Sequence, residues 1–217
     1  MFEPAAIKKG LRFLSKNDVI LAGVIKSVGV FTLAPDPGGY EILVRSILSQ
    51  QISVAAARTI RGRLQAMLPG GKLQAKSIDA LSDEQLQSVG VSRQKSTYLR
   101  HLTLCTLDGT INFRRIAKAS DEDAIEELVQ IKGIGRWTAQ MFLMFSLGRI
   151  DVFAPDDLGL RNAIHKLYEP PEKLTRTGLE EHAEMWRPYR TIASWYLWRS
   201  LEQKSVRKSN RKLPPPI

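Results

Sequence analysis

The chain is poor in the residues that build covalent or metal-held frameworks. One of its 217 residues is cysteine, Cys105, so no disulfide, four-cysteine iron-sulfur cluster or cysteine zinc site forms within a single chain. His101, His165 and His182 share no ligand spacing, which argues against a histidine metal site. No apolar run reaches membrane-spanning length, and the opening "MFEPAAIKKGLRFLSKND" lacks the continuous apolar core of a secretion signal. Work in the cytoplasm or nucleus is the expectation. Acidic residues are short as well: 22 Asp and Glu stand against 32 Lys and Arg, a formal charge of +10. Polyanions are therefore the first partner class to consider, although basicity alone names none.

Alternating strand patterns are also missing, and helical periodicity fills most of the chain. In "DVILAGVIKSVG" Val19, Ala22, Ile25 and Val28 recur at three-residue steps behind Asp18, a capping residue. "YEILVRSILSQQ" has a broad apolar side, and Ser53 is placed to cap "VAAARTIRGRLQAML". Helices are expected in "SDEQLQSVG", capped by Ser82, and in "SRQKSTYLRHLTLCTL". "SDEDAIEELVQI" opens with Ser120 followed three positions on by Asp123, a capping-box variant. "RWTAQMFLMFSLG" is apolar around most of its circumference, the mark of a helix in the middle of a core. "LGLRNAIHKLY", "GLEEHAEMW" and "YRTIASWYLWRSLEQK" complete an all-α reading in two closely joined lobes spanning residues 1–203. Residues 204–217, "KSVRKSNRKLPPPI", read as a basic, proline-containing tail.

Between two of these helices stands "IKGIGRWTA". One helix ends, the chain turns within a few residues, and a second helix starts near Arg136. Gly133 and Gly135 suit such a turn because glycine accepts positive φ and lets another backbone come close. Amides at the turn and at the next helix start face outward, a seat for a nucleic-acid phosphate. An ordinary αα-hairpin has the same outline.

"LVQIKGIGRWTA" resembles the helix-hairpin-helix of the DNA glycosylase superfamily that includes endonuclease III, with the hairpin unit at about residues 120–147. The ordered set "ILSQQISVAAARTI", "IKGIGRWTAQ", "DVFAPDD" and "WRPYRTIASWYLW", between about Tyr40 and Arg199, is most similar to the 3-methyladenine DNA glycosylase II branch. The resemblance implies a two-lobed helical HhH-GPD fold with a central cleft. It also implies base excision repair of alkylated purines such as 3-methyladenine in damaged duplex DNA, by a monomer, in the nucleoid-bearing cytoplasm or the nucleus. Lys132 departs from the commonest hairpin, which has proline there.

By the same resemblance Asp157, about twenty residues past the hairpin, is the catalytic carboxylate, with Asp156 expected to take the helix cap. Trp137 stands where lyase-competent relatives keep a lysine; an indole forms no Schiff base, so water is the nucleophile and the product an abasic site. Trp137, Trp198, Met141 and Leu158 are matched to the base pocket, although core packing of Trp137 remains an alternative. Trp186 and Trp195 are expected in the core. Gln51 is matched to the wedge that fills the gap left by a flipped nucleotide. Lys132, Gly133, Ile134, Gly135, Arg136 and Thr138 are matched to the phosphate grip. Main-chain carbonyls of Val129, Ile131 and Ile134 are matched to a structural Na+ or K+ site; no other cofactor is implied. Two alternatives stay open: a glycosylase for deaminated, oxidised or mismatched bases, and a non-catalytic DNA-binding module.

Overall fold

The structure, a computed structural model, describes residues 2–206, with side chains as far as residue 202. Thirteen α-helices run among the described residues: α1 (Pro4–Asn17), α2 (Val19–Val28), α3 (Gly39–Ser49), α4 (Val54–Met67), α5 (Ala75–Asp79), α6 (Asp83–Ser88), α7 (Arg93–Leu107), α8 (Phe113–Ile116), α9 (Asp121–Val129), α10 (Arg136–Phe145), α11 (Leu158–Tyr168), α12 (Arg176–Ala183) and α13 (Arg190–Val206). No strand occurs among them, in agreement with the all-α expectation. No helix of the described residues is long and apolar enough to cross a membrane. The tail expected from residue 204 begins inside α13, and residues 207–217 lie outside the described residues.

The helix starts follow the capping residues. Ser53, Ser82, Ser92 and Ser120 each accept a backbone N–H from the first turn of α4, α6, α7 and α9, satisfying amides that have no partner within the helix. Ser82 forms a full capping box with Gln85. At Ser120 the reciprocal bond differs, because its hydroxyl donates to the Asp123 carboxylate at 2.7 Å. Three helices, α1, α5 and α8, are additions to the elements read from the sequence. The start of α1 has no capping side chain but carries Pro4 at a position whose N–H needs no partner, and its last turn buries Leu14.

The chain divides into two compact units, one made of residues up to 35 and from 143 onward, the other of residues 36–142. In the second unit α7 packs against α3, α5 and α6, and α3 against α4. Ile42, Leu43, Ile47, Leu48, Leu64, Ile78, Leu86, Leu99 and Leu102 are buried there. Helix α10 is buried from Thr138 to Phe145, as its apolar circumference requires.

In the first unit α13 packs on α2 and α11, and α1 on α2 and α13. Its polar centre is Asp18. Asp18 Oδ1 caps α2 by accepting the Leu21 amide at 2.9 Å, while Oδ2 accepts the Tyr168 hydroxyl at 2.5 Å and the Trp186 indole N–H at 2.8 Å. A carboxylate 5% exposed is thus supplied with three donors, the condition for tolerating a buried charge. Trp186 and Trp195 lie in this core, as expected. His182 stands edge-on to Tyr168 and Trp186, with ring centroids at 4.4 and 5.2 Å.

Burial pulls the His182 pKa below its ordinary value, outweighing the nearby Asp18 carboxylate. A depressed folded-state value means that the unfolded chain takes up the proton first, so the His182 contribution to stability is present above about pH 6.5 and is lost as pH falls below it. Melting temperatures measured between pH 7.5 and 5 should fall more steeply for the unsubstituted chain than for His182→Phe. Parallel curves would remove His182 as the cause.

Candidate active site and hairpin

The carboxylate singled out by the sequence lies in the first unit, where α10 gives way to an irregular segment. The Arg149 amide donates back to Leu143 O, Val152, Phe153 and Ala154 are buried, and Asp157 N–H closes a turn on Ala154 O at 3.0 Å. Asp157 then caps α11. Its Oδ1 accepts two bonds, from the Leu160 amide at 2.8 Å and from the Trp198 indole Nε1–H at 2.8 Å. The side chain is only 7% exposed and sits where the helix dipole favours negative charge. Asp156, expected to be the cap, is not. It stays exposed with its carboxylate 3.6 Å from Arg176. Asp157 takes the cap because it immediately precedes the first helical residue, in register to reach an N3 amide.

Trp198, matched only as a pocket aromatic, has a second part in the site. Its indole stacks on Phe145 with centroids 5.7 Å apart and planes at 29°, and its N–H orients the carboxylate. Gly159 permits this approach: a Cβ there would lie 2.9 Å from Trp198 Cδ1 and 3.0 Å from Asp157 Oδ1. Phe145 and Gly159 were not singled out from sequence. Gly159 left a signal, a glycine in the first turn of a helix, where glycine weakens the helix unless something must come close. Leu158, the neighbour of Asp157, is 69% exposed, a large apolar side chain held out at the head of α11.

The hairpin lies in the second unit. Helix α9 ends with the Ile131 amide on Leu128 O, and the turn closes with the Ile134 amide on Ile131 O at 2.9 Å. Gly133 has φ +86°, and a Cβ there would stand 2.3 Å from the Tyr98 ring, so conformation and packing both demand glycine. Gly135 differs. It has no positive φ, is exposed, and a Cβ would meet nothing within 4 Å; nothing inside the protein requires a glycine there.

The other residues matched to the phosphate grip divide by accessibility. Lys132 is exposed, but its amide donates to His101 Nδ1 at 3.1 Å, which fixes that nitrogen as the acceptor of the ring. The Arg136 guanidinium spans both carboxylate oxygens of Glu122 at 2.6 and 2.7 Å, a surface pair that contributes little to stability. Ile134 and Thr138 are buried, so contact there would be through the main chain. Trp137 is half-buried. Met141, matched to the base pocket, is fully buried. Gln51 is exposed at the turn between α3 and α4 with φ +57°, a left-handed conformation that costs a non-glycine residue about 1 kcal/mol or more. Apart from these, a hollow beside α8 is lined by Asn112, Arg114, Arg115 and Lys118, with Arg115 anchored to Glu127. Among the described residues no group of side chains could hold a metal ion.

The glycine hairpin is followed in sequence by the capped carboxylate, and the family model described as HhH-GPD superfamily base excision DNA repair protein matches residues 44–188. The chain belongs to that family. It is 38% identical over 163 residues to "DNA-3-methyladenine glycosylase 1" of Schizosaccharomyces pombe, covering 74% of this chain and 72% of that protein. It is 32% identical to "Alkylbase DNA glycosidase-like protein mag2" of the same organism, over 91% of this chain and 95% of the relative. Among solved structures it is similar to a Bacillus halodurans DNA-3-methyladenine glycosidase, with TM-score 0.80 and 36% identity over 89% of this chain and 88% of that one. The S. pombe 3-methyladenine DNA glycosylase Mag1 in complex with abasic DNA matches with TM-score 0.79 and 34% identity, over 89% of this chain and 97% of that one.

Trp198→Phe keeps an aromatic ring against Phe145 and removes the N–H that orients Asp157. Loss of one hydrogen bond to a charged acceptor corresponds to about 1.5–3 kcal/mol. Single-turnover base excision should slow by roughly ten- to hundredfold with the helical circular dichroism unchanged. An unchanged rate would show that the Asp157 orientation does not depend on the indole.

Proposed function

We propose that the chain is a monofunctional DNA glycosylase that hydrolyses the N-glycosidic bond of alkylated purines in duplex DNA and leaves an abasic site. The observation that carries this is the Asp157 carboxylate, held at the head of α11 by the Leu160 amide and the Trp198 indole, in a chain whose hairpin is followed by Trp137. Departure of the base leaves positive charge on the deoxyribose. An oriented carboxylate stabilises that charge and guides the water that attacks the sugar carbon. An N-alkylated purine already carries positive charge, so its bond is weakened before the enzyme acts, and an aromatic surface suits it. Trp137 and Trp198 are the aromatics assigned to it, with exposed Leu158 beside Asp157.

No amine stands at position 137, so the chain has no Schiff-base route through that residue. Gly133, Gly135 and the Lys132 side chain hold phosphate, and contacts of that kind position the duplex without reading its sequence. Gln51 fills the space of the flipped nucleotide. A monovalent cation at the carbonyls of Val129, Ile131 and Ile134 belongs to the same reading. The Ile131 carbonyl already accepts the Ile134 amide and retains one lone pair for an ion. The enzyme acts as a monomer. Support for alkylated purines comes from the similarity to 3-methyladenine DNA glycosylases, one of them solved in complex with abasic DNA.

Duplexes carrying one N-alkylated purine, one deaminated base, one oxidised base or one mismatched thymine, incubated with the protein and then heated in alkali, test the reading. Strand breaks confined to the N-alkylated purine after alkali are expected. Breaks at another lesion would move the specificity, and none at all would leave a DNA-binding module. Borohydride added during turnover should trap no protein–DNA adduct; a trapped adduct would mean that an amine of this chain attacks the sugar.

A further inference from the structure

We propose that Gln50 couples the wedge to the hairpin, so that insertion of Gln51 and the grip on the backbone are one event. Gln50 is the residue before the wedge, and it is half-buried where Gln51 is exposed. Its side-chain Nε2 donates to Gly133 O at 2.8 Å across a sequence separation of 83 residues. The acceptor is a carbonyl, so the amide nitrogen must face it. A single hydrogen bond therefore ties the loop that carries the wedge to the peptide at the apex of the hairpin. This inference rests on the proposed function.

Both ends of that bond are fixed independently. On the hairpin side, Gly133 lies against the Tyr98 ring and the preceding amide, that of Lys132, is held by His101 Nδ1. On the loop side, Lys95 Nζ donates to Leu48 O at 2.7 Å, while the Gln50 amide keeps only a long bond, 3.4 Å, to Ile47 O. The last turn of α3 is clamped from α7, yet Gln50, the residue that follows the helix, reaches away to the hairpin. One peptide unit farther on, Gln51 sits at φ +57°. A strained residue beside a long-range tether stays strained only because its surroundings hold it. Gln50 supplies that hold as a positioning residue, acting on Gln51 and Gly133 without touching the reacting atoms.

A double-mutant cycle separates coupling from plain support of the fold. Gln50→Met preserves length and bulk and removes the donor. Single-turnover excision from a duplex with one N-alkylated purine is measured for Gln50→Met, Gln51→Ala and the pair, together with affinity for undamaged duplex and melting temperature. Gln50→Met alone should slow excision roughly five- to tenfold, the effect of one neutral hydrogen bond. Affinity for undamaged duplex should stay within about twofold, and in the Gln51→Ala background the loss should shrink below about twofold. Equal losses in both backgrounds, or excision and undamaged-duplex affinity falling together, would overturn the coupling. Should Gln50→Met fail to fold, Gln50→Ala enters the same cycle with the same two criteria. Absence of excision by the unsubstituted chain would overturn the glycosylase reading itself, whereas excision with additive losses would overturn only the coupling.

Discussion

A carboxylate oxygen with two N–H donors at 2.8 Å is the constraint on which the candidate site depends. Asp157 is 7% exposed, and a buried carboxylate without donors would be costly. The two donors come from different sources: the first turn of α11, a local consequence of the capping position, and the Trp198 indole, 41 residues away on α13. The second bond requires the indole to lie against α11, which requires a glycine at 159 and is backed by Phe145. Packing of α11 against α13 and orientation of the Asp157 carboxylate thus go together. The cap serves stability, and the proposed function gives the same carboxylate the chemistry, so a substitution that alters charge while keeping the acceptor separates the two.

Across α11, at its far end, Tyr168 donates to Asp18, so both ends of this helix are fixed by a carboxylate on a cap. In the second unit the hairpin is supported in another way. Gly133 is pressed on Tyr98, its carbonyl is taken by Gln50, and the Lys132 amide is taken by His101, whereas Gly135 faces open space. Support on one side and openness on the other suit the phosphate contact proposed for this turn, which asks for backbone amides presented without deformation.

Much of this was legible in sequence for physical reasons that act locally. Caps at Asp18, Ser53, Ser82 and Ser120 need only their own first turns, and α10 declares its burial through its apolar circumference. Helices α5 and α8 are too short for periodicity to register, and α1 carries no capping side chain. The cap of α11 was expected one residue early, at Asp156, because cap geometry depends on which residue first becomes helical, a matter of one position. Met141 was matched to a pocket by resemblance, and its complete burial is set by neighbours that a motif does not contain. The second bond of Asp157, the three donors on Asp18 and the tether from Gln50 all join residues distant in sequence, and no local pattern encodes them.

The chemistry assigned to the chain rests on the charge of Asp157. Asparagine at this helix start retains an oxygen for the Leu160 amide and the Trp198 indole, since it caps helices about as well as aspartate, and it removes only the negative charge. The decisive measurement is the single-turnover excision rate of Asp157→Asn on a duplex carrying an N-alkylated purine, alongside its affinity for the same duplex. Excision slowed by roughly a hundredfold or more, with lesion affinity and melting temperature retained, is the expected result. Excision at the unsubstituted rate would contradict the assignment of Asp157 as the catalytic carboxylate.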